Sequence, residues 1–214
     1  MLVGNDVVDL NDPENRPGAL HARFDARVFS PAEREVLNAF VPDSASRHEL
    51  RWTLWAAKES AYKVAKKLDP AVRFLPRDFE VGRIAEGRAV VLHKTGPFDV
   101  WVDRTDEWVH AVASFSAASA ASTTRPVSGD VECLKALGAD ASRTVRELAR
   151  EAVGRWMRLP PGQVQIAAAG RIPVALWRNQ RMLVDLSLSH HGRFVAWAWG
   201  ECAIPADQRG FLAA

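Results

Sequence analysis

Three segments of the sequence carry polar residues where a buried core would not favour them. They are GNDVVDL at residues 4–10, WAAKESAYK at 55–63 and GRIPVALWRNQRMLVDLSLSHHGRFVAWAW at 170–199. Asp6 lies within an apolar run that predicts a strand, and Glu59 lies near the middle of a predicted helix. Two carboxylates on buried elements are costly unless a cation or a basic group accompanies them. The first two segments therefore indicate a site for a metal ion or another cation.

The donor atoms indicate which ion this would be. Oxygen ligands with no His or Cys beside them in the sequence suit Mg²⁺, which takes one or two carboxylates and completes its octahedron with water and phosphate oxygens. Mn²⁺ could take its place. Lys58 and Lys63 flank Glu59 and offer ammonium groups to phosphate oxygens. Together with Asp6, they favour a diphosphate substrate, and the alternative is an exposed helix with ordinary surface ion pairs.

The third segment offers groups that could bind phosphate. Residues 187–191 follow a predicted strand and precede a glycine, so we expect Ser189 and His190 to lie in a tight hairpin loop. The alternative is a polar turn with solvated histidines. Arg143, at a predicted helix start, and Arg171 are further candidates for phosphate binding.

Capping signals and periodicity predict the elements that hold these residues. A buried strand is predicted at residues 2–10. A helix begins after Ser30, because Ser-Pro-Ala-Glu combines an N-cap serine, a proline at the first helical position and a capping-box glutamate. A longer helix is predicted to begin near Ser46 and to end at Leu68, before Pro70, with apolar residues at three-and-four spacing.

The remaining elements indicate an internal duplication. Four short strands form a predicted antiparallel meander, and after a Ser-, Ala- and Thr-rich stretch a helix and four strands recur. The first four span residues 78–83, 88–93, 98–103 and 108–115; the later helix spans 144–157 and the later strands 163–168, 171–177, 182–186 and 193–199. Two unrelated halves are the alternative.

We therefore predict an α+β fold of two similar subdomains. Each is expected to be a small antiparallel sheet packed with a long helix, and the two are expected to form a pseudo-twofold pseudodimer. The predicted bounds are 1–117 for the first subdomain, 118–129 for the linker and 130–214 for the second subdomain.

Composition excludes several classes of protein. The 214 residues are 48% hydrophobic and 25% charged, as in an ordinary globular protein. The net charge of +2 does not by itself indicate a nucleic-acid partner. Cys133 and Cys202 are too far apart in sequence to suggest a zinc site or a disulfide framework. No leader pattern and no apolar run of about 18 residues is present, so a cytoplasmic protein with no membrane partner is expected.

The motifs taken together resemble the 4'-phosphopantetheinyl transferase superfamily. This superfamily includes the small holo-acyl-carrier-protein synthases and the larger transferases of the surfactin-synthetase-activating type. The resemblance rests on four motifs in this sequence: Gly4-Asn5-Asp6; Trp55, Lys58, Glu59 and Lys63; Gly170, Arg171 and Pro173; and Ser189, His190, Gly192 and Arg193. Two features depart from the larger enzymes. Val8 stands where they carry a second acid, with Asp9 the next acid, and the Ser-His segment lies in the second half instead of the first.

The resemblance implies Mg²⁺-dependent transfer of phosphopantetheine from coenzyme A to a serine of an apo acyl or peptidyl carrier protein, with release of 3',5'-ADP. It implies that Asp6 and Glu59 hold the metal and that Lys63 neutralises the diphosphate. It also implies that His190, with Ser189, Arg171 and Arg143, binds the 3'-phosphate and neighbouring groups of coenzyme A. The internal pair of similar halves, not the resemblance, makes a monomer the expected state. The alternatives are a non-catalytic module that binds coenzyme A or a carrier protein, and a metal-dependent phosphohydrolase of nucleotides.

Overall fold

The computed structural model describes residues 1–116, 128–134, 140–160 and 162–202. In the first half, five antiparallel strands form one sheet, and three α-helices lie between the first two strands in the chain. The elements are β1 (Leu2–Asp9), α1 (Phe24–Val28), α2 (Pro31–Asn38), α3 (Ala45–Leu68), β2 (Glu80–Val81), β3 (Arg88–His93), β4 (Gly96–Arg104) and β5 (Trp108–Phe115). The strands lie in the sheet in the order β1-β5-β4-β3-β2. None of the helices in the described residues is long and apolar enough to cross a membrane.

Local capping fixes where the helices of this half begin. The predicted capping box of α2 is confirmed: the Ser30 hydroxyl accepts from the Glu33 backbone N–H, and the Glu33 carboxylate accepts from the Ser30 N–H. The predicted cap of α3 at Ser46 is wrong. Ser44 is the N-cap, and its hydroxyl accepts from the Arg47 N–H at 3.3 Å. A serine two positions earlier provides the cap instead, so the helix begins earlier than the sequence predicts.

The described residues of the second half form two three-stranded sheets and one long helix. Its elements are β6 (Ser128–Cys133), α4 (Ala141–Trp156), β7 (Val164–Ala169), β8 (Ile172–Trp177), β9 (Gln180–Arg181), β10 (Val184–His191) and β11 (Phe194–Glu201). The sheets have the orders β10-β11-β6 and β7-β8-β9. The order β6-β11-β10 repeats the order β1-β5-β4 of the first half, with antiparallel pairing in both.

The α+β fold with antiparallel sheets is therefore confirmed. The pseudo-twofold relation and the subdomain bounds stay predictions, and the shared strand order supports them. Of the predicted linker, residues 118–127 lie outside the described residues, whereas Ser128 and Gly129 begin β6.

The predicted hairpin loop at residues 187–191 is wrong, because β10 continues to His191 and the chain turns only at Gly192, where φ is +52°. Ser189 is paired with Ala196 and His191 with Phe194 across the β10–β11 ladder. The sequence Asp-Leu-Ser-Leu-Ser at residues 185–189 alternates polar and apolar residues, which is the period of a strand with one face on a core. Ser187, Ser189 and His191 therefore share the face of β10 that bonds β1, and His190 lies on the opposite face.

The two halves meet where the free edge of β1 faces β10, and we call this contact the seam. A strand edge carries unpaired N–H and C=O groups, and in the seam these are satisfied by side chains. The backbone N–H of Val3 donates to Asp185 Oδ2 at 2.7 Å, and that of Asn5 donates to Ser187 Oγ at 2.8 Å. The carbonyl oxygen of Val3 accepts from Lys67 Nζ at 2.7 Å. Side chains thus take the place of a neighbouring strand along this edge.

Candidate active site

A glycine allows β1 to lie directly on α3. The side of β1 that carries Gly4 faces this helix, and a Cβ at Gly4 would overlap the backbone oxygen of Ser60. The same Cβ would lie 3.0 Å from Val64 Cγ2 and 3.1 Å from Lys63 Cβ. Because residues i and i+2 share a face of a strand, Asp6 points toward α3 as well. The Gly-x-Asp motif therefore brings an aspartate against the Lys-Glu motif of the helix.

Asp6, Glu59 and Lys63 form what we call the carboxylate–lysine cluster. Lys63 Nζ lies 3.0 Å from Asp6 Oδ1 and 3.6 Å from Glu59 Oε1, and it donates to the Asn5 carbonyl oxygen at 2.7 Å. Glu59 and Lys63 share a helix face because they are four residues apart. The structure thus brings together the three residues that the sequence predicts to act on a diphosphate.

Burial strongly perturbs the ionisation of this cluster. Asp6 is buried, and desolvation raises its pKa from 3.8 to about 7; Lys63 opposes this effect, and the charge of Glu59 adds to it. Burial lowers the pKa of Lys63, but the carboxylates of Asp6 and Glu59 outweigh it, so the pKa lies above its ordinary value. A single ammonium group does not fully offset the cost of burying Asp6 as an anion.

The cluster fits a magnesium ion by its chemistry. Among the described residues, no group of three or more His, Cys, Asp and Glu side chains is placed to hold a metal ion. Two carboxylates suit Mg²⁺, which keeps several waters and takes phosphate oxygens from its substrate. A divalent cation at Asp6 would also favour the charged form of this buried carboxyl.

Neither of the two positions after Asp6 in β1 that were considered for a second acid contributes to the cluster. Val8 lies on the same side of the strand as Asp6 and is buried in the apolar core under α3. Asp9 lies on the opposite side and forms a bidentate ion pair with Arg193, with Nε 2.8 Å from Oδ2 and Nη2 2.9 Å from Oδ1. The structure therefore places Asp9 in the contact with the second half, and two carboxylates remain for a metal.

Lys58 does not face the cluster, contrary to the expectation that it offers its ammonium group to a phosphate. Its side chain is fully buried, and Nζ lies 2.7 Å from Glu33 Oε1. The same ammonium group donates to the carbonyl oxygens of Pro76 and Phe79. The next residue along a helix points about 100° away, so Lys58 and Glu59 cannot share a face. Lys58 ties α3 to α2 and to the segment before β2.

A basic cavity lies in the second half between α4, β8 and β10. It has a volume of about 240 Å³, and Arg146, Arg171 and His190 line it together with Ser142 and smaller apolar residues. Arg171 and His190 thus lie at one cavity, as their predicted common role requires. Arg146 was missed in the sequence, although it follows Arg143 by three residues on the same helix.

Arg143 lines an adjoining cavity of about 430 Å³, whose walls carry three arginines and two acids, Asp140 and Glu147. Ser142 and Arg146 belong to the walls of both cavities, and Arg150 lines the larger one. The spacing of 143, 146 and 150 is that of one helix face, which is the sequence signal that could have found Arg146 and Arg150. We call the two cavities together the basic pocket.

Ser189 points away from the basic pocket. It is buried, and its hydroxyl accepts a hydrogen bond from Asn5 Nδ2 at 2.9 Å. Neighbouring residues of a strand face opposite sides, so Ser189 faces β1 whereas His190 faces the basic pocket. The predicted contact of Ser189 with coenzyme A therefore does not follow from the direction of its side chain.

Carboxylates beside a lysine, and arginines beside a histidine at a pocket, are groups of the kind that phosphoryl-transfer enzymes use. The model of the 4'-phosphopantetheinyl transferase superfamily matches residues 2–113, just over half of the chain. The chain belongs to this superfamily, and it is an enzyme of the phosphopantetheinyl transferase type.

Comparison with individual proteins gives distant likenesses. No match is found among the curated proteins. Among solved structures, the chain is similar to the apo-ACPS structure of Chronobacterium ammoiniagenes, with 22% identity over 52% of this chain and 92% of that one, at a TM-score of 0.42. It is also similar to the Thermotoga maritima holo-[acyl-carrier-protein] synthase, with 13% identity over 84% and 83% of the two chains, at a TM-score of 0.37. At these TM-scores neither superposition adds to the family match.

Proposed function

We propose that this protein transfers the phosphopantetheine arm of coenzyme A to a serine of an apo acyl or peptidyl carrier protein, with Mg²⁺ as cofactor and 3',5'-ADP as the second product. One observation carries the proposal. The motif residues Asp6, Glu59 and Lys63, which come from two segments of the chain, meet at one ammonium group. This arrangement is costly in a fold that does not use it.

In the proposed reaction, the serine oxygen of the carrier forms a bond to the β-phosphorus of coenzyme A. The bond from that phosphorus to the bridging oxygen breaks, and the electron pair leaves with 3',5'-ADP. Glu59 accepts the serine proton, since its carboxylate is part-exposed beside Lys63. Lys63 binds the diphosphate and stabilises the charge that develops on the leaving group.

Asp6 and Glu59 would hold the Mg²⁺ ion. When bound, the ion would polarise the diphosphate and neutralise part of its charge. The carboxylate of Asp6 is held in a fixed position. Gly4 lets β1 lie directly against α3, and Lys63 bonds both the Asp6 carboxylate and the carbonyl group of the preceding residue.

In the second half, His190, Arg171 and Arg143 would bind the 3'-phosphate and neighbouring groups of coenzyme A, and we add Arg146, which lines both cavities. Arginine suits phosphate because its guanidinium group donates in a bidentate fork. Ser189 would hold β10 against β1 through its bond with Asn5 instead of contacting the ligand. Because both halves contribute to the site within one chain, we propose that the monomer is the active form.

The test is to incubate the protein with an apo carrier protein, coenzyme A and Mg²⁺ and to measure the mass of the carrier. Fatty-acid-type and peptidyl carriers should be tried in parallel, each with a Ser→Ala variant of its acceptor serine as the control. We expect a gain of one phosphopantetheine per carrier and an equal amount of 3',5'-ADP, both abolished by a chelator. Binding of coenzyme A without any gain in carrier mass would instead identify a non-catalytic binding module. Hydrolysis of nucleotides without modification of the carrier would identify a phosphohydrolase.

A further inference from the structure

Lys67 lies one helical turn beyond Lys63 and bonds to both halves of the protein. Its ammonium group donates to Val3 O at 2.7 Å in β1, and to Asp185 Oδ2 and Leu186 O, both at 2.6 Å, in β10. An ammonium group has three hydrogens, and these three acceptors use all of them. Lys67 is therefore fully committed to the seam.

Asp185 closes this arrangement. Its Oδ2 accepts from Lys67 Nζ and also from the backbone N–H of Val3. The N–H and the C=O of Val3 thus bond to an ion pair, as they would bond to a residue of a neighbouring strand. The side chains of Lys67 and Asp185 are only 7% and 3% exposed, so solvent does not compete for these bonds.

This ion pair lies close in sequence to both parts of the proposed site. Along β1, Asp6 follows Val3 by three residues, and along β10, His190 follows Asp185 by five. Extended strands are stiff over such lengths, so fixing Val3 against Asp185 also sets where Asp6 lies relative to His190. The bond from Asn5 to Ser189 continues the same alignment.

Stability alone does not account for the pair. Burying two charges costs desolvation that their attraction seldom exceeds, and apolar residues of similar size often replace such pairs without loss. The pair instead fixes the relative position of the two halves, because its bonds join atoms of one half to atoms of the other.

We propose that Lys67 is a positioning residue for the transfer reaction: with Asp185, it fixes β1 against β10 and so sets the distance between the carboxylate–lysine cluster and the basic pocket. This inference rests on the proposed function, in which one molecule of coenzyme A contacts both halves. It requires no contact between Lys67 and the substrate.

The test compares Lys67→Met with Lys66→Met in the full chain. The two changes are the same and lie on the same helix, but Lys66 bonds Pro70 O and Val72 O within the first half. Two ligands are titrated by calorimetry in the presence of Mg²⁺: coenzyme A, which would span the seam, and adenosine 3'-monophosphate, which would contact the basic pocket alone. The KM for coenzyme A and kcat are measured in parallel.

We expect Lys67→Met to weaken coenzyme A binding by about tenfold or more, because a ligand that spans the seam loses at least one charge-assisted contact when the two halves shift. Adenosine 3'-monophosphate should bind as tightly as it does to the wild type, and Lys66→Met should leave both ligands unaffected. Equal losses for both ligands would mean that the second half is merely damaged, and no loss for either would remove Lys67 from the alignment; each result overturns the inference.

If Lys67→Met does not fold, Asp185→Asn decides the question on the same two ligands. The asparagine keeps the shape and an acceptor for the Val3 N–H but loses the charge that holds Lys67. A wild-type protein that neither binds coenzyme A nor modifies a carrier would refute the proposed function itself, which is a different outcome from an unaffected Lys67 variant of an active enzyme.

Discussion

Replacing Gly4 with alanine should damage both the fold and the proposed site. The new methyl group would overlap Ser60 O, so β1 and α3 must separate by about 1 Å to restore an ordinary contact. Overpacking of this kind costs about 1–3 kcal/mol of unfolding free energy, and a backbone neighbour that cannot rotate away favours the upper end. Asp6 would move with β1 while Glu59 and Lys63 stay on α3. A misplacement of about 1 Å can cost about 100-fold in rate.

Urea unfolding measures the first effect, and kcat/KM for carrier modification measures the second. Gly18→Ala is the matched control, because a Cβ at Gly18 would have nothing within 4 Å. If Gly4→Ala stays within about 0.5 kcal/mol of wild-type stability and keeps the wild-type kcat/KM, the close approach of β1 to α3 does not set the geometry of the cluster.

Three further outcomes follow from the geometry. Glu59→Gln should lower kcat by about 100-fold or more while coenzyme A binding changes little, because the carboxylate acts on the serine proton; a wild-type kcat would remove Glu59 as the base. His190→Ala should raise the KM for coenzyme A by about tenfold, the effect of losing one charge-assisted contact, and an unchanged KM would count against a role in binding the ligand. Burial raises the pKa of Asp9, but hydrogen bonds from Arg193 outweigh it and hold the pKa below 3.8. The carboxylate of Asp9 therefore stabilises the fold above about pH 4 and loses this effect as the pH falls through its lowered pKa. In urea unfolding, the difference in unfolding free energy between wild type and Arg193→Met should therefore become smaller in acid. A difference that does not change with pH would mean that the ion pair contributes nothing.

The sequence predicts the parts of the site that depend on local periodicity. Glu59 and Lys63 are four residues apart on one helix, and Gly4 and Asp6 are two residues apart on one strand, so the face that each pair shares is determined by the period of its element. The prediction for Lys58 was wrong, although the same helical period could have shown that this residue is buried. Lys58 lies four residues after Leu54, within the apolar stripe of α3, and a lysine there must be buried with a partner.

Other features depend on contacts between residues far apart in the chain, and no local pattern contains them. Glu33 was identified as a capping-box residue, yet it also pairs with Lys58 and accepts from the N–H of Val81. The seam joins residues more than 100 positions apart, such as Lys67 and Asp185. Such pairs can be predicted only when the packing of the chain is known.

The way in which side chains satisfy β1 has a practical consequence for attempts to divide the protein. A fragment ending at residue 116 would keep the five-stranded sheet and the bonds of Lys67 and Lys63 to the carbonyl groups of this strand. The N–H groups of Val3 and Asn5, which donate to the second half, would be left without acceptors along an open margin. Open margins of this kind recruit strands from other molecules. We therefore expect the isolated fragment to self-associate, so co-expression with residues 128–214 should be the better route to complementation experiments.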